Sequence, residues 1–178
     1  PLLVELAERY ASAKKQRGLV EFSDQVALAL AICRRHPPVV ASFRERFRVV
    51  LLDEYQDTSV VQTHLLAELF SSHGVMAVGD PHQSIYGWRG ASANNLASFG
   101  RDFNGTEPTA RFSLSTSWRN SQRVLDAANV LVAPLTADSA VAVDTLLARP
   151  GAPLGTVDVR YAETRAEEAE AAAEWMAA

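Results

Sequence analysis

The chain has 178 residues, 48% hydrophobic and 21% charged, enough apolar material for a real core in about one to one and a half domains. A net charge of -4 excludes a nucleic-acid binder that works by bulk positive charge, though not one that holds single strands in a narrow groove on aromatic platforms. The single cysteine, Cys33, excludes an intramolecular disulfide, the four scattered histidines lack metal-ligand spacing, and no apolar run reaches the length of a membrane span.

Residues 2–17 carry Leu3, Leu6, Ala7 and Tyr10 at helical spacing, with Gly18 as the stop. Phe22-Ser23-Asp24 opens a second helix, capped by Ser23 or Asp24, with Val26–Ile32 as its apolar body. Pro37-Pro38 breaks that pattern, and Phe43–Phe47 reads as a short helix or turn. The run Phe47–Leu52 is continuously apolar but for Arg48, as expected of a buried strand in a parallel sheet, and ends in Asp53-Glu54. Asp57, Thr58 or Ser59 caps a helix to about Phe70. Val75–Val78 repeats the strand design and ends in Gly79-Asp80; Ala110–Leu114 is a weaker third run. Ser121 caps a helix to about Val132, residues 134–156 are loose and rich in Pro and Gly, Val157–Tyr161 reads as a short strand, and Glu163–Met176 is helical by propensity. Alternating strands and helices, with polar residues gathered after strand ends, predict an α/β fold whose ligands bind outside the carboxyl ends of the strands. The start without methionine and the stop inside a helical pattern read as part of a longer polypeptide.

Three segments carry chemistry. An acid at the tip of a buried parallel strand suits Mg²⁺ beside nucleotide phosphates, and a second acid beside it suits a proton acceptor for an attacking water. Asp53 and Glu54 fill that pattern; the plainer alternative is two solvated acids at a loop start, with Asp57 a helix cap. Residues 78–91 follow the second strand. There Gln83 suits a terminal phosphate or a positioned water, and Tyr86, Trp88 and Arg89 offer rings beside a cation that can stack nucleobases. The alternative is that Tyr86 and Trp88 pack into the local core. In Ser117-Trp118-Arg119-Asn120, an arginine can steady charge on a transferring phosphoryl group and a tryptophan can cover a base.

Together these residues resemble the superfamily 1 helicases of the UvrD/Rep/PcrA group, including the RecB- and AdnB-like end-resection motors. Asp53-Glu54-Tyr55-Gln56-Asp57 resembles the family's Walker B box, and residues 78–91 resemble its next motif nearly throughout. Leu114–Asn120 resembles the following arginine motif, with Trp118 where tyrosine is usual and Asn120 where serine is usual. Phe22-Ser23-Asp24 resembles a DNA-side motif, and Glu167-Glu168-Ala169 the acidic helix entering a second motor domain. Coverage is convincing over about residues 19–133, and the joint match of 53–57 and 78–91 at this spacing is specific.

The resemblance implies a partial RecA-like P-loop NTPase domain, a parallel sheet flanked by helices, using ATP and Mg²⁺. Asp53 would bind the metal and Glu54 would activate water. Gln83 and Arg119 would meet the γ-phosphate, and Trp118 would stack on adenine. Tyr86 and Trp88 would contact single-stranded bases, with Arg89 linking that contact to the nucleotide. Residues 1–45 would lead in from an inserted subdomain, 46–133 would be the ATPase core, and 134–178 the linker and start of the second motor domain. The implied partners are single-stranded and duplex-junction DNA, the remaining motor domains and a repair-complex subunit, in a bacterial cytoplasm. The implied activity is ATP-dependent 3′-to-5′ translocation and unwinding. No G-x-x-x-x-G-K-[ST] phosphate loop occurs in the chain, so the piece alone is expected to be inactive. The rival readings are a non-catalytic RecA-like DNA-binding or scaffold module, and a metal-dependent nuclease built on Asp53, Glu54 and Asp57.

Overall fold

A computed structural model describes residues 2–92, 94–137 and 139–177. The chain divides into two compact units, one running up to Arg111 with a short stretch that closes at Ala142, the other made of Phe112–Ala137 and the residues from Val143 onward.

In the first unit three helices precede the first strand. Helix α1 (Leu2–Arg17) ends where Gly18 turns left-handed at φ +65, and buries none of its residues. Helix α2 (Phe22–Arg35) is capped two residues before the earlier of its expected caps, Ser23: Glu21 is the cap, and the Asp24 carboxylate accepts the Glu21 N–H at 2.9 Å from within the first turn. The two prolines after α2 both end it and begin α3 (Pro37–Arg46), because the first turn of a helix needs no N–H from them. What reads in sequence as a break followed by a short helix or turn at Phe43–Phe47 is therefore a helix that already starts at the prolines.

Strand β1 (Val49–Leu52) and strand β2 (Gly74–Ala77) pair in parallel, with Val50 opposite Val75 and Leu52 opposite Ala77. Between them run a 3₁₀ turn (Tyr55–Asp57) and helix α4 (Val60–Phe70). Ser59 caps α4 by accepting the Gln62 N–H at 3.4 Å, while the Gln62 side chain accepts the Ser59 N–H at 2.8 Å. Helix α5 (Asn95–Asn104) follows β2. One face of the sheet, Val50, Leu52, Val75 and Ala77, packs on a core of Cys33, Tyr55, Leu69, Phe70 and Phe103. Tyr55 is fully buried, edge-on to Phe99 at 5.5 Å and to Phe103 at 6.3 Å. Each such side chain contributes roughly 1.5–3 kcal/mol by burial. The opposite face, Val49, Leu51 and Met76, is exposed. The expectation of a buried strand is met on one face only, because the residues that α2, α3, α4 and α5 bring to the core lie on the side of Val50 and Leu52.

In the second unit, strand β3 (Thr116–Ser117) pairs in parallel with β4 (Leu147–Ala148), and helix α6 (Gln122–Ala137) starts right after β3. Two N–H groups at the start of α6 are met by distant carbonyls, Gln122 by Pro153 and Arg123 by Leu154. Gly155 sits so close to Ser121 that a Cβ there would fall 2.0 Å from its Oγ. Helix α7 (Arg165–Ala177) closes the unit, with Trp175 donating to Asp158 at 3.0 Å. Two sequence expectations are corrected here. Ala110–Leu114 forms no strand, and Phe112 and Leu114 are exposed. Val157–Tyr161 forms none either, with Val159 and Tyr161 exposed. In both, β-prone residues find no partner strand.

Candidate functional site

The parallel register of β1 and β2 sets their carboxyl ends side by side. It extends one residue past the strands, since Val78 N donates to Leu52 O at 2.8 Å and Tyr55 N to Val78 O at 3.0 Å. The two acids and the loop of residues 79–91 therefore leave the sheet at the same edge.

Asp53 and Glu54 are exposed. The Glu54 N–H donates to Asp53 Oδ1 at 2.9 Å. Glu54 adopts the left-handed conformation at φ 50, ψ 41, rare for a residue with a side chain. Such a backbone costs on the order of 1–3 kcal/mol and persists only where its surroundings impose it. Here the surroundings are Tyr55, locked in the core, and Gln56, which is 1% exposed. Gln56 Nε2 donates to Glu54 Oε2 at 2.7 Å, and its Oε1 accepts the Asp80 N–H at 3.1 Å. Ser84 Oγ donates to the Gln56 carbonyl at 3.2 Å. Gly79 is needed for this approach, because a Cβ there would meet Gln56 Oε1 at 2.5 Å. In sequence Gln56 stands out only as a member of the segment Asp53–Asp57, with no role of its own.

Asp80 organises the start of the loop. Its carboxylate accepts the His82 N–H at 2.9 Å and Gln83 Nε2 at 2.8 Å, so Gln83 is held on Asp80. Farther along, Arg89 lies 4.5 Å from the centre of the Trp88 ring and 5.3 Å from that of Tyr86. The two rings are 6.4 Å apart and inclined at 56°. Trp88 is 75% exposed and Tyr86 37%, so core packing does not describe Trp88. The loop's far end is fastened by a bridge between Ser59 and Ala91 and by Asn95 Nδ2 donating to Thr58 O.

Trp118, Arg119 and Asn120 belong to the second unit, where all three are exposed and Asn120 is tied to Ser117 Oγ at 3.1 Å. Asp57 is partly buried, with its Oδ1 lacking a partner among the described residues. Among those residues no three His, Cys, Asp or Glu side chains converge as a metal cage. Mg²⁺ beside phosphates asks for less, one or two carboxylates with the remaining ligands from water and substrate, and exposed Asp53 fits that demand.

Residues 2–104 match the model of the UvrD/REP helicase N-terminal domain. Among similar curated proteins, DNA helicase II of Escherichia coli is 40% identical over 126 residues, covering 70% of this chain and 17% of that protein. The ATP-dependent DNA helicase PcrA of Leuconostoc citreum is 36% identical over 134 residues, 73% of this chain and 17% of that protein. The ATP-dependent DNA helicase UvrD1 of Mycobacterium bovis is 34% identical over 134 residues, 71% and 17%. The chain thus spans about a sixth of the length of these relatives. The family match covers the first two chemical segments and stops before Trp118.

Proposed function

This chain belongs to the UvrD/REP helicase family through its N-terminal domain, and we propose that it carries the hydrolytic half of an ATP-driven DNA motor. The observation that supports the reading best is the Glu54–Gln56–Asp80 linkage, which ties an acid pair at one strand end to an aromatic loop at the next. A site that hydrolyses nucleotide and a surface that grips DNA must be joined if one is to drive the other.

In this reading Asp53 holds Mg²⁺, which when bound neutralises phosphate charge. Glu54 takes a proton from the attacking water through Oε1, its other oxygen being engaged by Gln56. Gln83 and Arg119 meet the γ-phosphate, which requires Gln83 to exchange its bond with Asp80 for one to ATP. Trp118 stacks on adenine. Tyr86 and Trp88 stack on single-stranded bases, and Arg89, already packed on both rings, relays their position. Residues 1–45 lead in from an inserted subdomain, 46–133 form the RecA-like core, and 134–178 lead to the second motor domain. The parent translocates 3′ to 5′ on single strands, opens duplex junctions and works in the bacterial cytoplasm with repair partners. Among the described residues no helix is long and apolar enough to cross a membrane. This piece alone, without the lysine of a phosphate loop, holds ATP too weakly to turn it over.

A non-catalytic scaffold would have no need of the strained, tethered Glu54. The test is strand displacement by the full-length chain on a duplex with a 3′ single-stranded tail. Unwinding that requires both ATP and Mg²⁺ is expected. DNA binding without ATP-dependent unwinding would overturn the motor reading in favour of the scaffold.

A further inference from the structure

We propose that Gln56 is a positioning residue through which the aromatic loop sets the carboxylate of Glu54. The inference rests on the reading of Glu54 as the base. A buried amide must find partners for both ends, and the partners here determine its orientation. The Asp80 N–H can only donate, so it takes Oε1, and Nε2 is left facing the Glu54 carboxylate. The amide therefore spans the two strand ends, with Glu54 on one side and the start of the loop on the other.

Three further features bind this amide to the loop. Ser84, two residues before Tyr86, donates to the Gln56 main chain at 3.2 Å. Asp80, which donates to the amide from its backbone, holds Gln83 with its carboxylate at 2.8 Å. Gly79 lets the start of the loop come this close to the amide, since a Cβ there would be 2.5 Å from Oε1 and 3.3 Å from the Gln56 N. Glu54 itself has a left-handed backbone and, among the described residues, no other side-chain partner for its carboxylate, so the Gln56 amide selects where that carboxylate points. A shift of the loop when Tyr86 and Trp88 take up bases passes through Ser84 and Asp80 to the amide, and from there to the base. Stimulation of hydrolysis by DNA is the functional expression of that path.

The test uses the full-length chain, measuring ATP turnover with and without oligothymidylate, the KM for ATP and the Kd for the oligonucleotide. In Gln56→Leu, DNA-stimulated kcat is expected to fall about 10- to 100-fold, as for a reacting group displaced by about an ångström. KM and Kd are expected to stay within about twofold, the signature of an interaction made only in the transition state. Gln56→Glu keeps an acceptor for Asp80 but sets a like charge against Glu54, and is expected to lose at least as much. Full activity in Gln56→Glu beside loss in Gln56→Leu would overturn the link to Glu54. Retained stimulation in both would overturn the whole inference. Should the Gln56 variants fail to fold, Ser84→Ala decides: stimulation reduced about threefold or more supports the path, on the scale of one lost hydrogen bond, and unchanged stimulation refutes it. Glu54→Gln run alongside separates the two layers, because full turnover there sinks the assigned base, whereas loss there with unaffected Gln56 and Ser84 variants sinks only the coupling.

Discussion

Removing the Trp88 ring should weaken single-strand binding without unfolding the protein. The ring is 75% exposed, and Arg89 at 4.5 Å is the cation packed on it. Truncating so exposed a side chain changes stability by about 0.5 kcal/mol or less. A base stacked on the ring is worth roughly 1–3 kcal/mol, which converts to a Kd about 5- to 150-fold weaker in Trp88→Ala. Trp88→Phe keeps a π-face and should lose less. The assay is fluorescence anisotropy of a labelled oligothymidylate with the full-length chain, at several fixed salt concentrations. Because the ring touches bases rather than phosphates, the dependence of Kd on salt should keep its slope while the curve shifts. An unchanged Kd with an unshifted melting temperature would refute the stacking role. A changed slope would mean that Arg89, released from the ring, contacts phosphate instead.

Two further outcomes follow from the first unit. Among the described residues the buried hydroxyls of Tyr55 and nearby Thr63 have no well-formed hydrogen bond; burial pushes the Tyr55 phenol up, and the Thr63 hydroxyl partly opposes this. Tyr55→Phe should therefore alter stability by about 1 kcal/mol or less, in either direction, whereas Tyr55→Ala should cost about 3–5 kcal/mol, read from denaturant melts. At the start of α2, Lys14 donates to both Asp24 and Glu21, and their carboxylates hold the Lys14 ammonium above its ordinary value. Lys14 in turn holds Asp24 and Glu21 below theirs. The acids' contribution is present above their unfolded values of about 4 and is lost as pH falls through their lower folded values. That of Lys14 is present below about 10.4 and lost as pH rises through its higher folded value. Melting temperature against pH should thus drop less steeply in acid for Lys14→Met than for the unaltered protein; identical acid limbs would show that the cluster contributes nothing.

Much of the first unit was legible because its signals are local. An apolar run ending in Asp53-Glu54 announces a strand and its tip, the polar run Asp57-Thr58-Ser59 announces the start of α4, where Ser59 proves to be the cap, and Gly18 announces the end of α1. Errors came where a residue carries two meanings. Pro37 and Pro38 stop one helix and start the next, and only the geometry of a first turn says so. Strand pairing is non-local, which is why Ala110–Leu114 looked like a strand while Leu147–Ala148, inside a Pro- and Gly-rich stretch, did not. At the site, the acids and the rings were readable from their chemical types. Gln56 was not, because its role depends on the Asp80 N–H, 24 residues away, reaching it past Gly79.

The most direct test of the central claim is DNA-stimulated ATP hydrolysis by the full-length chain carrying Glu54→Gln. This replacement keeps the size of the side chain and removes the proton acceptor beside Asp53. Turnover should fall by about 10²- to 10⁴-fold, the usual contribution of a general base, while nucleotide and single-strand binding persist. Undiminished turnover would contradict the account, because the acid pair at the tip of β1 would then not be the hydrolytic centre.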